Sequence, residues 1–181
     1  MVRKVIIGLL SLVALVVVGT LILIAMQPDE LTIVRSATFN APPERVYEQV
    51  NDFHKWQAWS PWAKLDPAMK SFYSGPESGP GSVYEWSGND DVGRGKMTIV
   101  ESKPGDLVRI DLEFIEPMAS RSKTDFSFKP AGDKTDVTWS MKSQQNFISK
   151  AFCLVVDMDK MLGKDFEKGL AQMRPLVETA Q

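Results

Sequence analysis

LVRIDLEFI, Leu107 to Ile115, sets Val108, Ile110, Leu112 and Phe114 against Arg109, Asp111 and Glu113 in alternation. Successive side chains of a strand point to opposite faces, so this period of two predicts a strand with one buried face and one wet face. Pro104-Gly105-Asp106 and Pro117 to Ser120 close it as turns. Toward the N-terminus, Met97 and Ile99 alternate with Lys96, Thr98 and Val100. Beyond Gly88-Asn89-Asp90-Asp91 and the loop SGPESGPGS (Ser74 to Ser82), Val83 to Trp86 and Phe72 to Ser74 are two more strands. Toward the C-terminus, Phe126 and Phe128 alternate with Asp125, Ser127 and Lys129. Ala131-Gly132-Asp133-Lys134 is a hairpin turn into Val137, Trp139 and Met141, which alternate with polar residues. Six strands in hairpin succession predict an antiparallel meander.

Around that meander lie a further strand and helices. Leu31 to Phe39 (LTIVRSATF) is rich in β-branched residues and closed by Asn40-Ala41-Pro42-Pro43. Pro43 then opens a helix, where its missing N–H costs nothing, and Val46, Val50 and Phe53 share one face of it. HKWQAWSPW (His54 to Trp62) predicts a second short helix, broken by Pro61. From Ser149 to about Thr179 the period becomes 3.6, with Phe152, Val155, Leu162, Phe166, Leu170, Met173 and Val177 in one stripe. This predicts one long amphipathic helix that Pro175 kinks or ends. Gly163 and Gly169 each weaken it by about 1 kcal/mol relative to Ala, so they mark a bend or a close contact.

At the other end of the chain, Val5 to Met26, centred on Leu15, is 22 residues without a charge. As a helix it spans roughly 33 Å, the thickness of a bilayer's hydrocarbon core. A secretory signal has a shorter apolar region, and the exit LIAMQPDE lacks the small residues that a signal peptidase needs, so an uncleaved anchor is the favoured reading. Arg3 and Lys4 precede the span while Asp29 and Glu30 follow it, which predicts a single-pass protein of the cell membrane with its C-terminal domain periplasmic or otherwise extracytoplasmic. The expected division is residues 1–28 as anchor and 29–181 as one α+β domain.

Composition removes several function classes. The chain has 181 residues, 21 Lys+Arg against 23 Asp+Glu, and 44% hydrophobic residues. The slightly acidic balance lacks the concentrated basic face of a nucleic-acid binder. One Cys (Cys153) and one His (His54) permit neither a disulfide within the chain nor a His/Cys metal cluster. His54 beside Lys55 reads as a cap or turn residue, which leaves a Ser-His-Asp triad without a base. No GxSxG, P-loop or GxGxxG occurs, so no cofactor is expected and no catalytic residue is assigned.

The order strand, two short helices, six-strand meander and long helix is carried by NAPPERVY (Asn40 to Tyr47), the Trp-rich run Asp52 to Trp62, DVTWSM (Asp136 to Met141) and DFEKGL (Asp165 to Leu170). It resembles the helix-grip fold of the SRPBCC superfamily, which includes START lipid-transfer domains, pollen-allergen-like proteins and polyketide cyclase/dehydrase proteins. The resemblance covers roughly Leu31 to Glu178. It implies a curved antiparallel sheet of about seven strands wrapped on the long C-terminal helix, with a cavity between them; the membrane span is an addition.

A curved sheet and one helix need large side chains to fill the space between them, and any remaining cavity is lined by these. The candidate lining is Trp59, Trp62, Tyr84, Trp86, Met97, Phe114, Phe126, Trp139, Met141, Phe152 and Val155. Asp159 falls in the helical stripe. Facing an apolar cavity it would orient a polar ligand group or act as an acid/base; at the stripe's margin it would be solvated, the favoured reading. The sequence thus points to a membrane-anchored binder of an apolar or amphipathic small molecule or lipid, with neither nucleic acid nor metal as partner. A polyketide cyclase/dehydrase-like enzyme using the same cavity, and an envelope interaction or stress-response domain, are the alternatives.

Overall fold

The alternation at Leu107 to Ile115 becomes strand β5 (Leu107–Glu116) in the computed structural model, which describes residues 2–178. The other strands are β1 (Glu30–Phe39), β2 (Lys70–Ser74), β3 (Val83–Ser87), β4 (Arg94–Lys103), β6 (Ser120–Ala131) and β7 (Lys134–Gln144). They form one seven-stranded sheet in the order β1-β7-β6-β5-β4-β3-β2. β2 to β7 are the meander, and β1 closes back beside β7. Helices α2 (Pro43–Asn51) and α3 (Trp56–Trp59) fill the connection from β1 to β2. A 3₁₀ turn at Phe53–Lys55 leads into α3, with the Asp52 carboxylate accepting from the His54 N–H at 2.9 Å. After the sheet come α4 (Phe147–Cys153) and α5 (Met158–Glu178).

Turn chemistry and strand irregularities shape the sheet. Gly132, at φ 70°, turns β6 into β7, and Gly105, at φ 67°, turns β4 into β5, both in the left-handed region that other residues enter at a cost. Register shifts between β4 and β5 at Arg94/Gly95 and at Ile99/Glu101 bend the ladder as bulges do. On the wet face, Arg109 spans three strands, donating to Glu101 at 2.6 Å and to Asp125 at 2.9 and 3.1 Å. On the other face, Ile99, Ile110, Phe126, Phe128, Val137 and Trp139 are buried, and α5 contributes Phe166, Leu170, Met173 and Val177 to the core.

The helical stripe expected from Ser149 onward is two helices, not one. After Phe152 the ladder becomes irregular: Leu154 N–H on Ala151 O at 3.3 Å and Val155 N–H on Phe152 O at 3.1 Å are i→i−3 bonds, and Val156 N–H shares the Phe152 carbonyl at 3.0 Å. The pair Val155-Val156 and then Asp157 are poor helix formers, and the next helix starts at Met158. Pro175 does not end α5, which runs on to Glu178.

The two glycines of α5 mark close contacts. A Cβ on Gly163 would collide with the guanidinium of Arg35 from β1, and one on Gly169 would meet the Trp139 ring at 2.9 Å and Pro61 at 3.2 Å. A guanidinium can swing aside; the buried indole cannot. Gly169→Ala is therefore expected to destabilise the fold by about 1–3 kcal/mol in urea titrations, although Ala is intrinsically better in a helix by about 1 kcal/mol.

The described residues form two compact units, 32–143 with 158–178 and 2–31 with 144–157. The second holds α1 (Val2–Ala25), one helix long and apolar enough to cross a membrane. In that unit α4 is capped by Asn146, whose side chain accepts from Ser149 N–H at 2.9 Å. Lys150, at the edge of burial, donates from Nζ to Asp29 Oδ1 at 2.5 Å.

Candidate functional site

Within the larger unit, the space between sheet and helix is not filled. A cavity of about 420 Å³ remains, within the size range of small-molecule sites. Tyr84 and Trp86 of β3, Met97 of β4, Leu112 and Phe114 of β5 and Met141 of β7 supply its sheet side. Met161, Leu162, Asp165 and Phe166, in the first half of α5, supply another. Trp56 and Gln57 of α3 and the segment through Ser60, Trp62, Ala63, Leu65 and Met69 supply the third, with Asp91 and Val92 from the β3–β4 turn.

Each wall has a local cause. The inward period of two in β3 to β5 and β7 aims every second side chain at the cavity. Trp86 lies over Gly95, where a Cβ would overlap the indole, and its Nε1 donates to Val92 O at 2.9 Å. Asp66 ties the loops together: its carboxylate accepts from Ala68 N–H and Asn89 N–H, both at 2.8 Å. Trp56 is anchored by Nε1 on Val50 O at 3.0 Å. The lining is apolar apart from Gln57, Ser60, the Tyr84 hydroxyl, Asp91 and Asp165.

Trp62, Tyr84, Trp86, Met97, Phe114 and Met141, all anticipated from the sequence, come together on this cavity. Trp59, Phe126 and Trp139 are fully or almost fully buried, packed against one another in the core. Phe152 and Val155 belong to the unit of α1 and α4, where they are exposed. The break between α4 and α5 separates them from the stripe that Leu162 and Phe166 continue. Leu65, Met69, Leu112, Met161 and Asp165 also line the cavity. Leu112 stood in the strand alternation already. Asp165 precedes Phe166 by one residue and so falls off the apolar stripe, which is why helical period does not single it out.

Asp159 is elsewhere. Its carboxylate is bonded to Arg35 at 3.0 Å through both Nη atoms, Arg35 Nε also reaches Glu167 at 2.9 Å, and the Asp159 side chain is 55% exposed. Hydrogen bonding to Arg35 holds this carboxyl below the ordinary carboxylate range, the opposite of what a dry cavity would do. A depressed folded-state value means that the pair's stabilisation is complete above about pH 4, the ordinary Asp value, and is lost as pH falls through the depressed one. Asp159→Asn is expected to remove that part of the acid-unfolding profile, followed by circular dichroism, and to leave apolar-ligand affinity unchanged. Burial raises the Tyr84 phenol, which lies 3.2 Å from Ser71 Oγ, so it stays protonated across the physiological range. His54 is half exposed, stacked on Tyr73 at 4.2 Å and bonded to Asp52. Among the described residues no group of three or more His, Cys, Asp or Glu is gathered as a metal site would require.

A sequence-family model described as polyketide cyclase/dehydrase and lipid transport matches residues 30–178, the whole sheet and both C-terminal helices. The chain belongs to that family. No curated protein matches it. Solved structures share this fold at low identity. Protein CV1439 from Chromobacterium violaceum is 17% identical with a TM-score of 0.59, over 85% of this chain and 100% of that one. Mll3558 from Rhizobium loti is 19% identical with a TM-score of 0.59, over 82% and 97%. The Aha1 dimer from Colwellia psychrerythraea is 14% identical with a TM-score of 0.57, over 82% and 97%.

Proposed function

We propose that this family member is a membrane-anchored carrier or sensor that holds an apolar or amphipathic small molecule, such as a lipid, in the cavity. The observation that carries the reading is the cavity itself, about 420 Å³ walled by aromatic, Leu and Met side chains. Apolar area removed from water there is worth about 25 cal/mol per Å² before association costs. Met97, Met141 and Met161 give the wall adaptable, polarizable surface suited to an irregular ligand. Asp91 and Asp165 are acceptors for a ligand's hydroxyl or amine group. In the same reading residues 1–28 are the anchor, which keeps the cavity at the high local ligand concentration of the bilayer. Residues 29–181 are the folded domain, on the extracytoplasmic side because Arg3 and Lys4 precede the span.

Two measurements test this. The full chain should sediment with membranes and need detergent, while a chain beginning at Asp29 should be soluble and folded; a soluble full chain contradicts the anchor. Titration of the shorter chain with N-phenyl-1-naphthylamine, a neutral apolar dye, should give saturable fluorescence that fatty acids or phospholipids displace. Unsaturable or undisplaced signal contradicts the cavity reading. The enzyme alternative draws on Tyr84 and Asp165, both on the cavity wall. It requires turnover that Asp165→Asn abolishes while dye affinity is kept.

A further inference from the structure

The unit built from α1 and α4 carries a second apolar surface. Phe147, Ile148, Phe152, Leu154 and Val155 are all exposed, Ile148 at 67% and Val155 at 82%. Ile148 and Phe152, four residues apart, share one face of α4, and Val155 lies in the turn that follows the helix. Lys150 points the other way: its side chain is 11% exposed and its Nζ is bonded to Asp29. A second bond, from Gln145 N–H to Asp29 O at 2.8 Å, holds the approach to α4 at the same residue. Asp29 lies four residues beyond Ala25, the last residue of α1, and Ile24 in the final turn is the one buried side chain of that helix. The exposed stripe of α4 is therefore tied to the C-terminal end of the apolar helix, not to its middle.

We propose that residues 147–155 are an interfacial membrane segment, with the stripe of Phe147, Ile148, Phe152 and Val155 entering the boundary between headgroups and acyl chains of a phospholipid bilayer. The inference rests on the reading of α1 as a membrane span. The occupant follows from continuity. Leu21, Ile22 and Leu23, in the last turns of α1, are themselves exposed, so the medium that covers them also meets the segment fastened beside them. The 24 residues of α1 reach roughly 36 Å, longer than a hydrocarbon core of about 30 Å, so its C-terminal turn lies at the interface. An amphipathic segment at that level buries its apolar face about 5–10 Å deep, while Lys150 is neutralised by Asp29 on the inner side. Such a segment gives the protein a second hold on the membrane and fixes the direction in which the chain leaves α1.

The test uses the full chain in nanodiscs of phosphatidylcholine and phosphatidylglycerol. In a Cys153→Ser background, nitroxide labels are placed singly at Ile148→Cys, Val155→Cys, Leu15→Cys as the reference for the span, and Lys129→Cys as a reference on an exposed strand position. Each chain must keep the tryptophan emission of the unlabelled protein; if position 148 or 155 fails, Phe147→Cys takes its place. Collision with oxygen relative to a water-soluble nickel chelate reports depth. The expected order is Leu15 deepest, the labels at 148 and 155 intermediate, Lys129 in water. If Leu15 lies in the bilayer and the labels at 148 and 155 match Lys129, the interfacial segment is refuted while the anchor stands. If Leu15 itself is in water, the span is refuted and the segment with it.

Discussion

Trp139→Ala is expected to lower the folding free energy by about 3–5 kcal/mol, measured by urea unfolding of the chain beginning at Asp29. That is a large part of the roughly 5–15 kcal/mol typical of a whole domain. Trp139 is the hub of the core. It stacks on Phe166 at 4.0 Å with 3° between the planes and on Phe126 at 4.7 Å, and it meets Trp56, Trp59 and Trp62 edge-on. It therefore joins β7, β6, α3 and α5 through one side chain. Its Nε1 is buried without a hydrogen-bond partner, which costs about 1–3 kcal/mol. Trp139→Phe removes that donor and keeps a ring, so it is expected to cost much less than Trp139→Ala. A loss below about 1 kcal/mol for the Ala variant would mean that the aromatic cluster does not hold sheet and helix together.

Filling the cavity should abolish binding without unfolding the protein. Met97 and Leu112 are direct partners across β4 and β5, and both line the cavity. Met97→Trp with Leu112→Trp places two indoles in that space. The cavity takes up much of the volume that would otherwise cause overpacking, which costs about 1–3 kcal/mol in a filled core. Dye affinity is expected to fall at least about tenfold, equivalent to about 1.4 kcal/mol, with a cooperative unfolding transition retained. Unchanged affinity in the folded double variant would place the dye elsewhere.

What the sequence made legible, and what it did not, follows from the range of each physical signal. Alternation such as Val108/Ile110/Leu112 is imposed by one sheet face and one solvent face, so the six strands of the meander could be read locally, and β1 was legible from its β-branched residues. Resemblance supplied the sheet's wrapping around α5, which no window of sequence contains. The cavity wall was half legible. Inward-facing Tyr84, Trp86, Met97 and Met141 follow from strand period, but the same period equally describes Phe126 and Trp139, and only packing decides which inward side chain meets a neighbour and which meets empty space. The helical stripe misled where Val155 and Asp157 interrupt it, because periodicity carries across a break that backbone propensity creates. The role of Arg35 was hidden for a different reason. It needs Asp159, 124 residues away, and the bare backbone of Gly163 to form its seat.

In the functioning protein the cavity is expected to hold an apolar or amphipathic molecule. The most direct measurement is liquid chromatography with mass spectrometry of organic extracts from the purified full chain, alongside the folded Met97→Trp, Leu112→Trp variant. One class of apolar or amphipathic molecule is expected, enriched in near-stoichiometric amount over bulk membrane lipid in the first extract and depleted in the second. Equal amounts in both, at the level of bulk lipid, would contradict it.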